Sequence, residues 1–190
     1  LGLIHRKGRV MGVRTPQGRL LAAAVIVAAG AWSGRLLKTV GIPIDTPPIR
    51  GQMVAYHGLV VRHIIWGPEG YLVPKPRGFT YAGATVERVG FRARTTRVGL
   101  RRLRRMAGHM VPLLARAEVA SSWAGLRPGS PDGLPVMGPM PQWEGLWVAS
   151  GHFRNGVLLA PATGQALARW LVHGEAESLE PFSPARFFTS

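Results

Sequence analysis

Gly151-His152-Phe153-Arg154-Asn155-Gly156 runs straight into Val157-Leu158-Leu159-Ala160-Pro161-Ala162-Thr163-Gly164, and this stretch sets the expected architecture. The apolar run Leu146-Trp147-Val148-Ala149 before it reads as a strand, and the residues from about 156 to 172 read as a helix. Strand, glycine loop, helix is the order in which doubly wound folds build ligand sites. A helix start carries unpaired N–H groups and about half a positive charge. Glycines beside it let a flat or anionic ligand approach the backbone closely. The stretch therefore predicts a site for a group with a polar edge, with Arg154 projecting beside it.

Working outward, Arg9–Arg14 and 19–29 read as strands around the turn Thr15-Pro16-Gln17-Gly18. The second ends in Val25-Ile26-Val27-Ala28-Ala29-Gly30, a continuous apolar run expected to be buried on both faces of a parallel sheet. Ala31-Trp32-Ser33-Gly34 then opens a short helix to about Thr39. Pro43, Pro47 and Pro48 form a stiff connector and the best place for a domain crossing. Beyond it, 50–57, 61–66, 69–75 and 79–84 have the spacing of an antiparallel meander. A basic amphipathic helix is expected over Thr96–Met110, a strand over 117–126, and a short strand or turn at Pro135-Val136-Met137-Gly138. The tail Pro181-Phe182-Ser183-Pro184-Ala185-Arg186-Phe187 is expected to be extended and to dock through its phenylalanines. The fold class is thus α/β at both ends with an antiparallel, α+β middle.

Composition bounds the function. The 190 residues suffice for one sizeable core or two small ones, and 46% hydrophobic against 17% charged describes a globular chain. No uninterrupted apolar run reaches the length of a bilayer span. Cysteine is absent, which removes disulfides, thiolate metal sites and a cysteine nucleophile. The six histidines show no ligand spacing, so no metal site is expected. The net charge is +15, and of 24 basic residues only Lys7, Lys38 and Lys75 are lysine. The dense cluster Arg101, Arg102, Arg104 and Arg105 raises a nucleic-acid reading. No aromatic residues interleave with it as a stacking platform would require, so arginine-biased coding with a solvated surface is preferred, and an acidic partner is a third reading. A salt-dependent gel shift separates these readings.

Four pieces carry a resemblance. They are Ile26-Val27-Ala28-Ala29-Gly30-Ala31-Trp32-Ser33; Arg50-Gly51-Gln52; Gly125-Leu126-Arg127-Pro128-Gly129-Ser130-Pro131-Asp132-Gly133; and Gly151-His152-Phe153-Arg154-Asn155-Gly156. In this order and spacing the chain resembles the C-terminal half of the D-amino-acid oxidase superfamily of flavoproteins, and within it the glycine oxidase branch of thiamine biosynthesis. The resemblance covers nearly the whole chain. It implies part of a Rossmann-like FAD-binding domain over 1–48, an antiparallel substrate-binding sheet over 49–127, and a return to the FAD domain over 128–190. The N-terminal nucleotide-binding half, with its Gly-x-Gly-x-x-Gly, is expected upstream of Leu1, so the isolated chain is expected to fold marginally and to be inactive.

The same resemblance implies FAD as cofactor and an amino acid with a small side chain as substrate. A hydride passes to flavin N5 and O2 is reduced to H2O2. The imine supplies thiamine thiazole synthesis, with thiazole synthase as a partner, in a cytoplasmic homo-oligomer. Arg127 matches the carboxylate anchor; a guanidinium offers a carboxylate a planar fork. Tyr71 matches an active-site tyrosine, and Arg154 an arginine near substrate and flavin. Gly30, Trp32, Ser33, Gly151, His152, Phe153, Asn155, Gly156 and Val157 match flavin-contacting positions, His152 through backbone positioning rather than as a base. This chain departs from the branch at Glu69, where a histidine is expected, and at Val86, where a methionine is expected. Sarcosine oxidase and D-amino-acid dehydrogenase activities lie nearby in the superfamily. Arg154-Asn155 favours glycine oxidase, and the lack of cysteine removes a cysteine-tethered flavin from this segment.

Overall fold

A computed structural model describes residues 2–58 and 60–188, and it divides into two compact units, Leu1–Pro48 with Arg127–Ser190 and Ile49–Leu126. The first unit opens with β1 (Gly2–Arg6), β2 (Arg9–Thr15) and β3 (Gly18–Leu21), an antiparallel meander in the order β1-β2-β3. Lys7 and Gly8 join β1 to β2 with φ of 47° and 76°. Two left-handed residues in a two-residue loop match the twist of the strands they connect. β4 (Val25–Val27) follows, then a 3-10 turn at Gly30–Trp32 and α1 (Ser33–Lys38).

The second unit holds β5 (Pro48–His57), β6 (Ile65–Gly67), β7 (Gly70–Lys75), β8 (Phe79–Gly83), α2 (Arg97–Met110) and β9 (Val119–Pro128), the last closing at the unit boundary. Its sheet runs β6-β7-β8-β5-β9. β6, β7 and β8 form a meander as the glycine-separated runs predict, but β5 pairs with β8 rather than with β6, because this strand, buried along most of its length, takes an inner place between β8 and β9; the expected strand 61–66 is reduced to Ile65–Gly67. α2 covers one face: Leu103, Met106 and Ala107 bury against Val54, Tyr56, Leu72 and Ala82. The arginines Arg101, Arg102, Arg104 and Arg105 point away from that core and are exposed. The period-2 alternation leaves Met53, Tyr71 and Tyr81 on the opposite face.

Back in the first unit, β10 (Val136–Pro139) pairs antiparallel with β11 (Leu146–Ser150), which pairs in parallel with β4, and α3 (Gly156–His173) follows β11. Val10, Val27, Leu37, Ile44, Val136, Leu146 and Val148 form the core.

Three further expectations are corrected. The run 19–29 is not one strand but β3 and β4, because Ala22 still bonds back to Met11 in the meander whereas Val25 bonds to Gly145 beside β11. β4 is also not buried on both faces: Ile26 is 41% exposed, and its sheet runs β10-β11-β4, so β4 has one sheet neighbour among the described residues. The tail is not extended. It winds through 3-10 turns at Glu177–Phe182 and Pro184–Phe187. Its docking does use phenylalanines, Phe187 and Phe188 against the main core and Phe182 against Met137 and Leu167. Arg186 adds a two-pronged bond to Asp132, with Nε to Oδ2 at 2.6 Å and Nη2 to Oδ1 at 3.1 Å.

A buried polar cluster anchors α2. Thr96 caps the helix by accepting from the Gly99 N–H at 3.1 Å, and the Thr96 N–H donates to Gln52 Oε1 at 2.7 Å. Gln52 is fully buried and donates through Nε2 to Glu87 Oε1 at 2.7 Å. Arg50 pairs with the other Glu87 oxygen and donates to the Arg94 carbonyl at 3.0 Å. Burial pushes the Glu87 carboxyl up, but bonds from Arg50, Thr85 and Gln52 together with the Arg50 charge outweigh it and hold it below the ordinary 4.5. A carboxyl with a depressed folded pKa stabilises above the unfolded pKa and loses that contribution as pH falls through the folded value. Glu87→Gln is therefore expected to lower stability at neutral pH by about 1–3 kcal/mol. It is also expected to flatten the loss of stability below the ordinary carboxylate range, read from urea melts across acid pH.

Candidate functional site

Two strand-to-helix turns meet at the ends of the parallel pair β4 and β11. Ser150 is buried at the end of β11, and its Oγ donates to the Gly30 carbonyl at 3.0 Å. This bond ties the β4–α1 turn to the β11–α3 loop. The carboxyl ends of parallel strands are where open α/β sheets bind ligands.

Each turn needs its glycine. Gly30 has φ of 53°, and a Cβ there would meet nothing within 4 Å, so the backbone faces open space. Gly151 has φ of 78° for the opposite reason. A Cβ there would stand 3.2 Å from Ser130 Cβ and the Val136 nitrogen and 3.3 Å from the Leu134 carbonyl. Phe153 also adopts a left-handed φ of 50°, which a bulky residue rarely does. Strain of this kind clusters at ligand clamps and active sites.

In that conformation the Phe153 ring lies close to two guanidiniums. Arg127 lies 5.9 Å from its centroid and Arg154 lies 5.6 Å from it. Arg127, at the end of β9, is half-buried, whereas Arg154 is exposed. The two cations therefore share one aromatic platform beside the start of α3, where Asn155 makes no side-chain cap and the first turn holds no acidic residue. Val157 and Leu158 follow, 93% and 80% exposed. An uncapped helix start beside two arginines is a field suited to negative charge.

His152 points the other way. Its Nε2 lies 3.0 Å from the Thr163 hydroxyl, and burial, opposed by a backbone bond involving Ser150, holds its pKa below the ordinary 6.5. A neutral imidazole tied to α3 fits a role in orienting the loop. Trp32 is 48% exposed beside Gly30, and Ser33 is fully buried with an unpartnered Oγ.

Tyr71 belongs to the other unit. It lies on the sheet face away from α2, stacked on Trp66 with ring centroids 5.1 Å apart, and its hydroxyl is 3.8 Å from the Met53 sulfur. Glu69 is exposed in the β6–β7 turn, and Val86 is 49% exposed. Gln52, quoted for the resemblance, directs its side chain into the α2 anchor.

Sequence reasoning did not single out Ser150, Thr163, Ser130, Trp66 or Met53. Ser150 carried a signal, since it immediately precedes the glycine loop. Trp66 and Met53 had none, because their partner is defined by strand register. Among the described residues no cluster of His, Asp or Glu could hold a metal, and no helix is long and apolar enough to cross a membrane. The arginine face of α2 borders a shallow groove lined by Arg97, Leu100, Arg101, Arg104, Gly108 and His109 among others, with no Phe, Tyr or Trp.

Gly30 has an open backbone, Ser33 and Ser130 hold buried hydroxyls without a hydrogen-bond partner, and the start of α3 is bare. Residues 1–170 match the FAD dependent oxidoreductase family, and the chain belongs to it. It is 40% identical over 176 residues to glycine oxidase of Pseudomonas putida, covering 92% of this chain and 48% of that protein. It is 38% identical over 195 residues to hydrogen cyanide synthase subunit HcnC of Pseudomonas protegens, covering 100% of this chain and 46% of that protein. The crystal structure of glycine oxidase from Bacillus cereus superposes with a TM-score of 0.84 at 32% identity, over 92% of this chain and 48% of that one. The chain thus spans about half the length of the curated relatives it matches.

Gly151→Ala is expected to destabilise the first unit by about 1–3 kcal/mol, through both the left-handed φ and the contacts its Cβ would make. The measurement is a thermal melt beside Gly30→Ala, whose Cβ has room and which carries only the backbone term.

Proposed function

We propose that the protein carrying this chain is an FAD-dependent amino-acid oxidase of the glycine oxidase kind, acting on glycine or another small amine. The observation that carries the reading is the pair of guanidiniums, Arg127 and Arg154, both close to the ring of Phe153 at the start of α3. Membership of the family and the 40% identity to a glycine oxidase support it.

In this reading Arg127 anchors the substrate carboxylate. Its planar fork can make two parallel N–H···O bonds, and the Phe153 ring limits the directions it can take. Arg154 adds a second positive charge at the same place. Tyr71 donates its phenolic hydrogen to the carboxylate. Gly30, Trp32, Ser33 and the Gly151–Val157 loop hold the flavin, and the uncapped start of α3 favours negative charge on the ring edge that faces it. FAD, when bound, supplies the two-electron acceptor. Overall, the amine and O2 give the imine and H2O2, and holding the carboxylate fixes which face of the α-carbon is presented. No side-chain base is needed, because the amine reacts as its free base. The neutral, Thr163-bonded His152 orients the loop.

We further propose that the remainder of the full-length protein supplies the dinucleotide site and a second neighbour for β4. The imine would then serve thiamine thiazole formation, with thiazole synthase as partner.

Arg127→Met in the full-length enzyme is expected to lower kcat/KM for glycine by about tenfold to hundredfold, the worth of a charge-assisted bond in a shielded site. Oxygen uptake with glycine, sarcosine and D-alanine reads both this loss and the substrate preference. Unchanged kinetics would sink the carboxylate assignment. The isolated 190-residue chain is expected to melt broadly and to hold no stoichiometric flavin, as followed by calorimetry and visible absorbance.

A further inference from the structure

The open face of the second unit carries a row of four residues in strict cross-strand register. Trp66 on β6 is opposite Tyr71 on β7, Tyr71 is opposite Gly83 on β8, and Gly83 is opposite Met53 on β5. Strands stand about 4.8 Å apart, so Tyr71 and Met53 would be roughly 10 Å apart at the backbone. The glycine between them leaves a vacancy, and the phenol lies across it to bring its hydroxyl within 3.8 Å of the Met53 sulfur. A Cβ at Gly83 would collide with that sulfur and stand 3.3 Å from the Tyr71 hydroxyl. On the other side the Trp66 ring stacks on the phenol at an interplanar angle of 16°, although Trp66 is itself 69% exposed.

We propose that the Trp66–Tyr71–Gly83–Met53 row is an aiming device for the Tyr71 hydroxyl, with Gly83, Met53 and Trp66 as positioning residues for carboxylate recognition. The proposal rests on the reading of Tyr71 as a carboxylate ligand. Gly83 provides the space, and Trp66 fixes the ring plane. Met53 provides a resting partner of a particular kind. A thioether is a weak acceptor, so it orients the phenolic hydrogen without holding it strongly. An ionised carboxylate is a far stronger acceptor and takes the hydrogen over when it arrives. A strong neutral acceptor at position 53 would compete with the substrate, whereas an apolar group of the same length would not.

The test uses the full-length enzyme and two readouts, steady-state kinetics with glycine and calorimetric binding of acetate, which carries the carboxylate and no oxidisable amine. Tyr71→Phe is the reference and is expected to raise the glycine KM and weaken acetate binding by about tenfold or more. Met53→Gln is expected to reproduce most of that loss with little change in kcat, and Met53→Leu to change both readouts less than threefold. Gly83→Ala is expected to weaken acetate binding as Tyr71→Phe does, with no additional loss in the double variant. Trp66→Leu is expected to weaken it, with recovery in Trp66→Phe. If Tyr71→Phe alone leaves both readouts unchanged, the role of Tyr71 in the proposed function fails. If Tyr71→Phe has its effect but Met53→Gln and Met53→Leu behave alike, the aiming device is overturned. A Gly83→Ala variant with a lowered melting temperature drops out of the comparison, and the Met53 pair decides.

Discussion

The parallel pairing of β4 with β11 is the constraint on which the candidate site depends. It brings together two turns that lie 120 residues apart, and the Ser150 hydroxyl bond to the Gly30 carbonyl joins them. Once those turns are adjacent, the local conformations follow. Gly151 must be left-handed and bare because Ser130, Leu134 and Val136 crowd it. Phe153 is carried into the same region of φ, with its ring close to both Arg127 and Arg154. Without that pairing the glycine loop would be a flexible connection and the two arginines would have no shared platform.

The two units solve the burial of their sheets differently. In the second unit α2 covers one face with Leu103, Met106 and Ala107, and the cluster around Gln52 and Glu87 secures its start. The other face keeps its aromatic and sulfur-bearing side chains available. In the first unit the apolar load is less completely enclosed: Ile26 on β4 and Val157 and Leu158 on α3 remain exposed. Exposed apolar surface beside glycine turns and an uncapped helix start suits a flat cofactor with a polar edge better than an ordinary solvated surface.

Much of the architecture could be read from residues. The β2–β3 turn, the antiparallel β6–β7–β8 run, the basic helix over about 96–110 and the strand–loop–helix unit at 146–173 all carry local signals, and all stand in the structure, whereas the place of β5 beside β8 had no local signal. The errors came where local signal and tertiary partner diverge. Residues 19–29 look like one apolar strand, but β3 and β4 belong to different sheets. The proline-rich tail looks extended, but Arg186 reaching Asp132 and a run of carbonyls winds it into turns. The site was legible in the same uneven way. Arg127, Arg154 and Tyr71, proposed above as substrate ligands, were named through the family resemblance. Thr163 and Met53 could not be named, because each acts through a partner that only folding brings near.

By itself the amino-acid sequence determined the alternation of elements, the absence of cysteine chemistry and the residue types at the glycine loop. These follow from periodicity, turn chemistry and composition, which act over a few residues. Only the tertiary structure decided that two guanidiniums share one phenylalanine, that His152 is committed to Thr163, and that a glycine on β8 leaves room for a tyrosine to reach a methionine two strands away. Such relations depend on strand register and on left-handed backbone angles, and neither is specified until distant parts of the chain have packed.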